Sequence, residues 1–492
     1  MRTLTRALMI APLVLSATSF AAAQTAPPLP APTGPMVSVA SVAQLQDALA
    51  TLTSGTTIVV QPGRYAITQD LWIRNVSNVA LRGATDNRDD VVIVGRGMAT
   101  AGVGMVLHVW NAADVLIANL SLGEVYYHPL QLHGEANVTD VHIYNVRFFD
   151  GGEQLLKAST DKVTGVVRGL IEYSLFEYTN MGPADGYTNG VDALLASDWV
   201  IRYNLFRNIR SSGTMTGPAV LMWVGSKGTQ TYGNTFINCE RAINYGISIT
   251  GVRPDHAGGS IYNNFVFRAV GGTPHPDAGI SVWDSPDTLV LHNTVIQNGT
   301  YPASIEARYL TTTGVLIENN LTDGGILRRD GSPASVVSNY TAATPALFVN
   351  SAVGDLHLTE TATVAIDRAV PEPSVTTDWD GEPRDDLPDL GADEYVEMTV
   401  PPVGDTVAPT VTIQLVRKPN SVQASGAGTD NVGVVGYTCA LDNRIVAQLP
   451  GGGAYSCSIN IKGLGRGTHT VMVVAADAAG NTSVPATASF AK

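Results

Sequence analysis

The chain has 492 residues, a formal net charge of -14 and only 15% charged residues. Such a length holds more than one domain. The acidic balance, with no Lys/Arg-rich block, excludes a nucleic-acid binder, which must neutralise phosphates.

Residues 1–23 read as a secretory signal: a basic M-R-T-L-T-R start, the apolar run A-L-M-I-A-P-L-V-L-S-A, and A-A-A-Q at 21–24, with cleavage after Ala23. The alternative is a short membrane anchor, but the run is too short to span comfortably. No later stretch reads as an integral membrane segment, so a secreted or periplasmic product is expected. Residues 24–37, rich in Pro and Ala, read as a spacer. Next come a strand, an amphipathic helix near 42–52 and T-I-V-V-Q-P-G-R-Y, a capped start to a sheet.

From there a hexapeptide recurs, beginning at Ile117, Ile143, Ile171, Ile201, Thr231, Ile261, Leu291 and Leu316. Each has an apolar residue five places on: Leu122, Phe148, Phe176, Phe206, Phe236, Val266, Ile296 and Leu321. Weaker copies stand at V-A-L-R-G (79–83) and V-V-I-V-G (91–95). A period near thirty residues, built from short β-rich runs between Gly, Asn, Asp and Pro, points to stacked coils burying one apolar column. Asn204, Asn234, Asn264 and Asn319 fall in one register, and Asn145, Asn263 and Asn293 in the next, as bends with left-handed geometry require. The coils are expected to continue through G-D-L-H-L (354–358) to A-I-D (365–367), which places this domain at 38–396.

A stack of this kind has no deep cavity. Its flank is a shallow groove of about 4.8 Å per coil, suited to a polymer. Outside the hexapeptides, Tyr127, His128, Gln154, Trp223, Asn244, Tyr245, Trp283 and Tyr309 offer ring faces and hydrogen-bonding groups for sugars. Lys157 is one of only three lysines between 38 and 395 and falls within a strand. Partly desolvated, it could act as a base; the alternative is a lysine snorkelling along the surface. Asp255 and His256, in V-R-P-D-H-A-G-G, read either as a loop over the groove or as a self-bonded turn.

A linker at 397–408 leads to 409–492, where T-V-T-I-Q-L, V-V-G-Y-T-C, S-C-S-I-N-I and H-T-V-M-V-V-A-A-D alternate as in a small β-sandwich. An oxidising compartment lets Cys439 and Cys457 pair. The third cysteine, Cys239, reads as a small buried filler.

The span 38–395 resembles secreted right-handed parallel β-helix proteins, among them polysaccharide lyases, through V-V-Q-P-G-R-Y at its start and D-G-E-P-R with G-A-D-E-Y at its end. The tail resembles bacterial immunoglobulin-like modules through D-N-V-G-V-V-G-Y, G-T-H-T-V and A-D-A-A-G-N. The resemblance implies an all-β chain: a right-handed parallel β-helix with an N-terminal capping helix, then a small β-sandwich. It also implies a monomer acting on an anionic polysaccharide.

β-Elimination from a uronic-acid polymer needs a cation beside the carboxylate, a base for the α-proton and an acid for the leaving oxygen. Lys157 and His133 are candidates for the base, Arg241 and Arg308 for the cation, Tyr187 and His256 for the acid. A calcium ion held by Glu153, Asp192 and Glu306 from different coils is another candidate for the cation; no organic cofactor is expected. The chain departs from the family motifs: R-P-D-H carries only part of the R-x-P-x-x-R pattern, and Lys157 with Arg168 or Arg202 lacks the N-G-x-E-G surroundings of the Lys/Arg lyases. Polygalacturonase-like signatures are missing, which sets paired-carboxylate hydrolysis aside. A non-catalytic glycan-binding or surface protein remains the alternative, because this coil serves many functions.

Overall fold

The computed structural model describes residues 24–396 and 406–492, apart from positions 432, 443, 452 and 478. The signal sequence 1–23 and positions 397–405 of the linker lie outside the described residues. The chain divides into two units, Met1–Tyr395 and Val396–Lys492. No helix among the described residues is long and apolar enough to cross a membrane.

The first unit is a right-handed parallel β-helix whose coils stack through three parallel ladders. The first ladder holds Leu170–Glu172, Val200–Arg202, Gln230–Tyr232, Ser260–Tyr262, Leu289–Leu291 and Leu316–Glu318. The second holds Leu175–Glu177, Leu205–Arg207, Thr235–Ile237, Phe265–Phe267, Thr294–Ile296 and Leu321–Thr322. The third holds Leu130–His133, Leu156–Ser159, Val191–Leu194, Val220–Trp223, Ile243–Tyr245, Ile280–Trp283, Ala303–Arg308 and Gly325–Arg329. Upstream, Leu71–Gly83 and Leu107–Val125 start the stack.

Alternation turns every second residue inward. Ile143, Ile171, Ile201, Thr231 and Ile261 stack in one interior row. Phe148, Phe176, Phe206 and Phe236 form another, with successive rings stacked 4.7, 4.8 and 4.8 Å apart. Phe206 is fully buried in that row. Phe206→Ala is therefore expected to cost about 3–5 kcal/mol of unfolding free energy in denaturant titration, through the cavity it leaves.

The later repeats slip from the expected phase. The interior rows pass through Val290 and Ile317, not Leu291 and Leu316, and through Val295 and Thr322, not Ile296 and Leu321. The cause at Ile296 and Leu321 is a second apolar layer. Leu205, Ile237, Phe265, Phe267, Ile296 and Leu321 point outward and pack under the segment that follows the coils, with Leu347, Leu356, Leu358, Trp379 and Leu390. A strand buried on both faces loses its alternating pattern.

That covering segment corrects the expected last coils. Asp355–Leu358 pairs antiparallel with Phe348–Asn350 instead of adding a coil. Trp379 stacks on Phe265 at 4.9 Å. Arg384 donates to Asn263 at 3.0 Å, and the Ala392 amide donates to Thr294 Oγ1 at 2.9 Å.

The corner between the first two ladders carries an asparagine ladder of Asn204, Asn234, Asn264, Asn293, Asn320 and Asn339, each amide oxygen accepting from the preceding asparagine. Asn293 belongs to this ladder. Asn319 instead has the left-handed backbone that Tyr173, Tyr203 and Asn263 also adopt one place before it.

At the start, Ser41 caps the helix Val42–Ala50, accepting from the Gln44 amide at 3.2 Å while Gln44 reaches back to the Ala40 amide at 2.8 Å. Leu45, Ala48 and Leu49 close the coil end. The Pro-rich stretch is not a free spacer: Pro30 accepts from Arg82 at 2.8 Å and Pro27 accepts from Tyr144.

The second unit has two antiparallel sheets. One joins Thr410–Val411, Gln414–Arg417, Ser421–Thr429 and Ala454–Asn460; the other joins Val434–Leu441, Arg444–Pro450, Thr468–Asp477 and Ala486–Ala491. Both contribute to one apolar core. Cys439 and Cys457 come from opposite sheets and sit in that core as free thiols in mutual hydrogen-bonding contact. The two thiols are placed where oxidation would join them in the bridge expected from the sequence.

Candidate functional site

The outward residues of the third ladder form rows along the coil axis. One row runs Trp72, His108, Gln131, Lys157, Asp192, Leu221, Asn244, Ser281 and Glu306. Beside it, two residues on, run Arg74, Trp110, His133, Ser159, Leu194 and Trp223, and further along Trp283, Arg308 and Arg329. Two residues before the strand starts stand His128, Gln154 and Arg241. Lys157, His133, His128, Gln154, Asp192, Trp223, Asn244, Trp283, Glu306, Arg241 and Arg308 thus share one face.

They fall into two groups. In the earlier coils, Lys157 Nζ donates to Asp192, whose other oxygen accepts from Trp223 Nε1 at 2.7 Å. Asp192 is nearly inaccessible, its side chain 2% exposed. The Tyr187 ring lies 6.0 Å from the Lys157 ammonium. On the neighbouring row, His128 Nδ1 donates to the Gln154 carbonyl at 3.0 Å, which leaves Nε2 with its lone pair, 3.5 Å from Glu153 Oε2. Burial lowers His128 to about 4, so the ring is neutral at neutral pH. Burial raises the Glu153 carboxyl despite the nearby Lys157. The Gln154 amide is buried with neither oxygen nor nitrogen hydrogen-bonded to protein. Of this cluster, Glu153 also lines a hollow of about 380 Å³, with Tyr126, Tyr127, Pro183 and Asp185.

In the later coils the charges are matched. Arg241 pairs with Asp277 at 2.9 Å, Arg308 with Asp330 at 2.5 Å and Arg329 with Glu306 at 2.9 Å. Trp283 Nε1 donates to Glu306 at 2.8 Å, and Arg308 lies 4.6 Å over the Trp283 ring. Tyr309 meets Trp283 edge-on at 6.5 Å. Asn244 is fully buried between these groups, its amide without a protein partner.

Two expected groove residues are not in the groove. His256 is buried, bonded through Nδ1 to Ser285 at 2.8 Å and through Nε2 to Thr229 at 3.1 Å. Its neighbour Asp255 binds three backbone amides, of Val224, Ile247 and Ser248, so the D-H pair builds the corner rather than a lid. Tyr245 alternates inward, and its hydroxyl bonds Thr231 at 2.9 Å across the interior. The expected calcium ligands do not converge either: Glu153, Asp192 and Glu306 stand on separate coils, and the last two are taken by Lys157 and Arg329. Among the described residues, three potential ligand atoms come within 4.8 Å only at His357, Asp380 and Asp393, on the covering segment.

Sequence reasoning missed the first two coils of the face. Asp70 Oδ2 meets His108 Nε2 at 3.1 Å, His108 Nδ1 meets His133 Nε2 at 2.9 Å, and His133 Nδ1 meets Glu135 at 2.7 Å. Ser159 donates to the other Glu135 oxygen at 2.7 Å. Burial pushes Glu135 up, but the bonds from His133 and Ser159 outweigh it and leave the carboxyl lowered. Trp72 stacks flat on His108 at 3.8 Å. The usable signal was the weak upstream repeat, carried one strand further back.

No family model and no curated protein matches the chain. Solved structures similar to it include an alginate lyase from a Paenibacillus strain, with 13% identity over 62% of this chain and 97% of that one and a TM-score of 0.35. The A-module of an Azotobacter vinelandii mannuronan C-5 epimerase gives 14% identity over 61% and 90%, with a TM-score of 0.32. The catalytic unit of a Streptomyces thermodiastaticus α-1,3-glucanase gives 14% over 65% and 72%, with a TM-score of 0.34. At this level of similarity they assign neither a reaction nor a substrate.

Proposed function

We propose that the chain is an exported polysaccharide lyase that cleaves a uronic-acid polymer along the third-ladder face. The observation that carries this reading is the neutral His128, whose Nε2 lone pair stands beside Glu153 and near the Lys157 ammonium, with Glu153 also lining a sugar-sized hollow. Lys157 neutralises the substrate carboxylate. His128 Nε2 removes the α-proton, the electron pair of that C–H bond becomes the new C=C bond, and the glycosidic C–O bond breaks. Tyr187, with its exposed side chain beside Lys157, returns a proton to the leaving oxygen. Gln154 supplies the donor and acceptor that no protein group uses. No step uses calcium.

The test is an ultraviolet assay for unsaturated product on a panel of uronic-acid polymers, with wild type and His128→Gln. Product from at least one polymer is expected, with turnover reduced by about a hundredfold or more in the variant. The acid limb of kcat/KM is expected near His128's lowered value of about 4 rather than near the usual 6.5. No product from any polymer would end the lyase reading. A non-catalytic glycan-binding face is the second reading. It is favoured by the matched ion pairs of Lys157, Arg241, Arg308 and Arg329, which suit a fixed surface.

A further inference from the structure

The first coils of the face carry groups that the reaction above does not use. The chain of contacts Asp70–His108–His133–Glu135 has three hydrogen bonds joining four ring nitrogens to two carboxylates. Each bond holds one proton. Asp70 acts as an acceptor, since its other oxygen takes the Gly104 amide at 2.9 Å. Glu135 accepts from both His133 and Ser159. The chain of bonds fixes both rings in place on the face.

Above it stands Trp110, in register with His133 on one side and Arg74 on the other. Its indole is 38% exposed and lies 4.9 Å from the His133 ring, tilted by 58°. Trp72 braces the imidazoles from below through its flat stack on His108. Arg74 is exposed and has no carboxylate partner among the described residues, in contrast to Arg241, Arg308 and Arg329 on the same face. An exposed indole beside an unpaired guanidinium matches a sugar ring that carries a carboxylate: the apolar ring face stacks and the anion pairs.

We infer that Arg74 and Trp110, adjacent in register and with Trp110 packed against the His133 ring, form a binding subsite for a carboxylated sugar at the N-terminal end of the face. This rests on the polymer lying along the coil axis, as in the reading above. From Lys157 the strand of Trp110 is two coils away, about 10 Å, so one chain of sugars reaches both.

The test uses hexasaccharides of galacturonate, of mannuronate and of guluronate, with their carboxyl-reduced counterparts, in isothermal titration calorimetry on the full chain. At least one uronate hexamer is expected to bind. Arg74→Ala should weaken it about fivefold and Trp110→Ala about tenfold. The carboxyl-reduced hexamer should bind wild type and Arg74→Ala alike, yet still lose affinity in Trp110→Ala. Affinity for all three hexamers unchanged by both substitutions, or no binding by wild type, would overturn the subsite. Calorimetry needs no turnover, so the outcomes separate. Binding that depends on Arg74 without product keeps the subsite and removes the lyase, and product without dependence on Arg74 and Trp110 does the reverse.

Discussion

Lys157→Ala is expected to lower kcat/KM on the best uronate polymer by about a hundredfold or more and to lower stability by about 3 kcal/mol. The two losses have different origins. The first is the missing cation beside the substrate carboxylate. The second comes from Asp192, which is left buried with only the Trp223 indole as a side-chain partner. The double variant Lys157→Met, Asp192→Asn separates them. It removes both charges, keeps an acceptor for Trp223, and is expected to regain most of the stability while activity stays low. Lys157→Arg preserves the charge, so it should retain turnover within about tenfold of wild type. A loss as deep as alanine's would mean that the amine moves a proton and does not merely neutralise. Near wild-type turnover in the double variant would take Lys157 out of the chemistry. The measurements are the unsaturated-product assay and chemical denaturation on the same preparations.

The architecture was legible because stacking repeats its requirements. Ile143, Ile171 and Ile201, or Phe148, Phe176 and Phe206, must be alike since each meets its own copy one coil away. The reading slipped at Ile296 and Leu321 because Trp379, Leu390 and their neighbours bury the outer side as well, and two buried faces leave no alternation to count. The face was only partly legible. Lys157 and Asp192 are adjacent in space yet 35 residues apart, whereas hexapeptide copies keep nearly constant steps. Loops of unequal length carry the outward rows out of phase with the interior ones. Nothing in the letters D-H distinguished a groove lid from Asp255 and His256 buried in a corner; that depended on which backbone amides stood nearby. The histidine pair was invisible for the same reason: Asp70, His108 and His133 belong to three successive strands that the repeat reading had not aligned.

The asparagine ladder yields the largest expected effect on stability. Asn234→Ala should cost about 5 kcal/mol or more, an exceptional loss for one substitution. Asn234 Oδ1 accepts both the backbone amide and the side-chain amide of Asn204, each at 3.0 Å. Its Nδ2 donates to the carbonyls of Ile201 at 2.8 Å and Tyr232 at 3.0 Å. Alanine orphans two donors and leaves two carbonyls without this partner, in an interior coil where Asn204 and Asn234 are almost fully buried. Because each coil touches only its neighbours, the damage also uncouples the coils on either side. Asn339, the last rung, accepts from Asn320 and donates to Ile317 and Val337 at 2.8 and 2.6 Å in the same way, but lacks the onward bond that Asn234 makes to Asn264. It is only half-buried, so water can replace what alanine removes. Asn339→Ala should therefore cost only about 1 kcal/mol. Equal losses at the two positions in urea denaturation would show that the bonds themselves, rather than the dryness of the interior coils, set the ladder's worth. A loss below about 2 kcal/mol at Asn234 would mean that the corner relaxes and finds other partners.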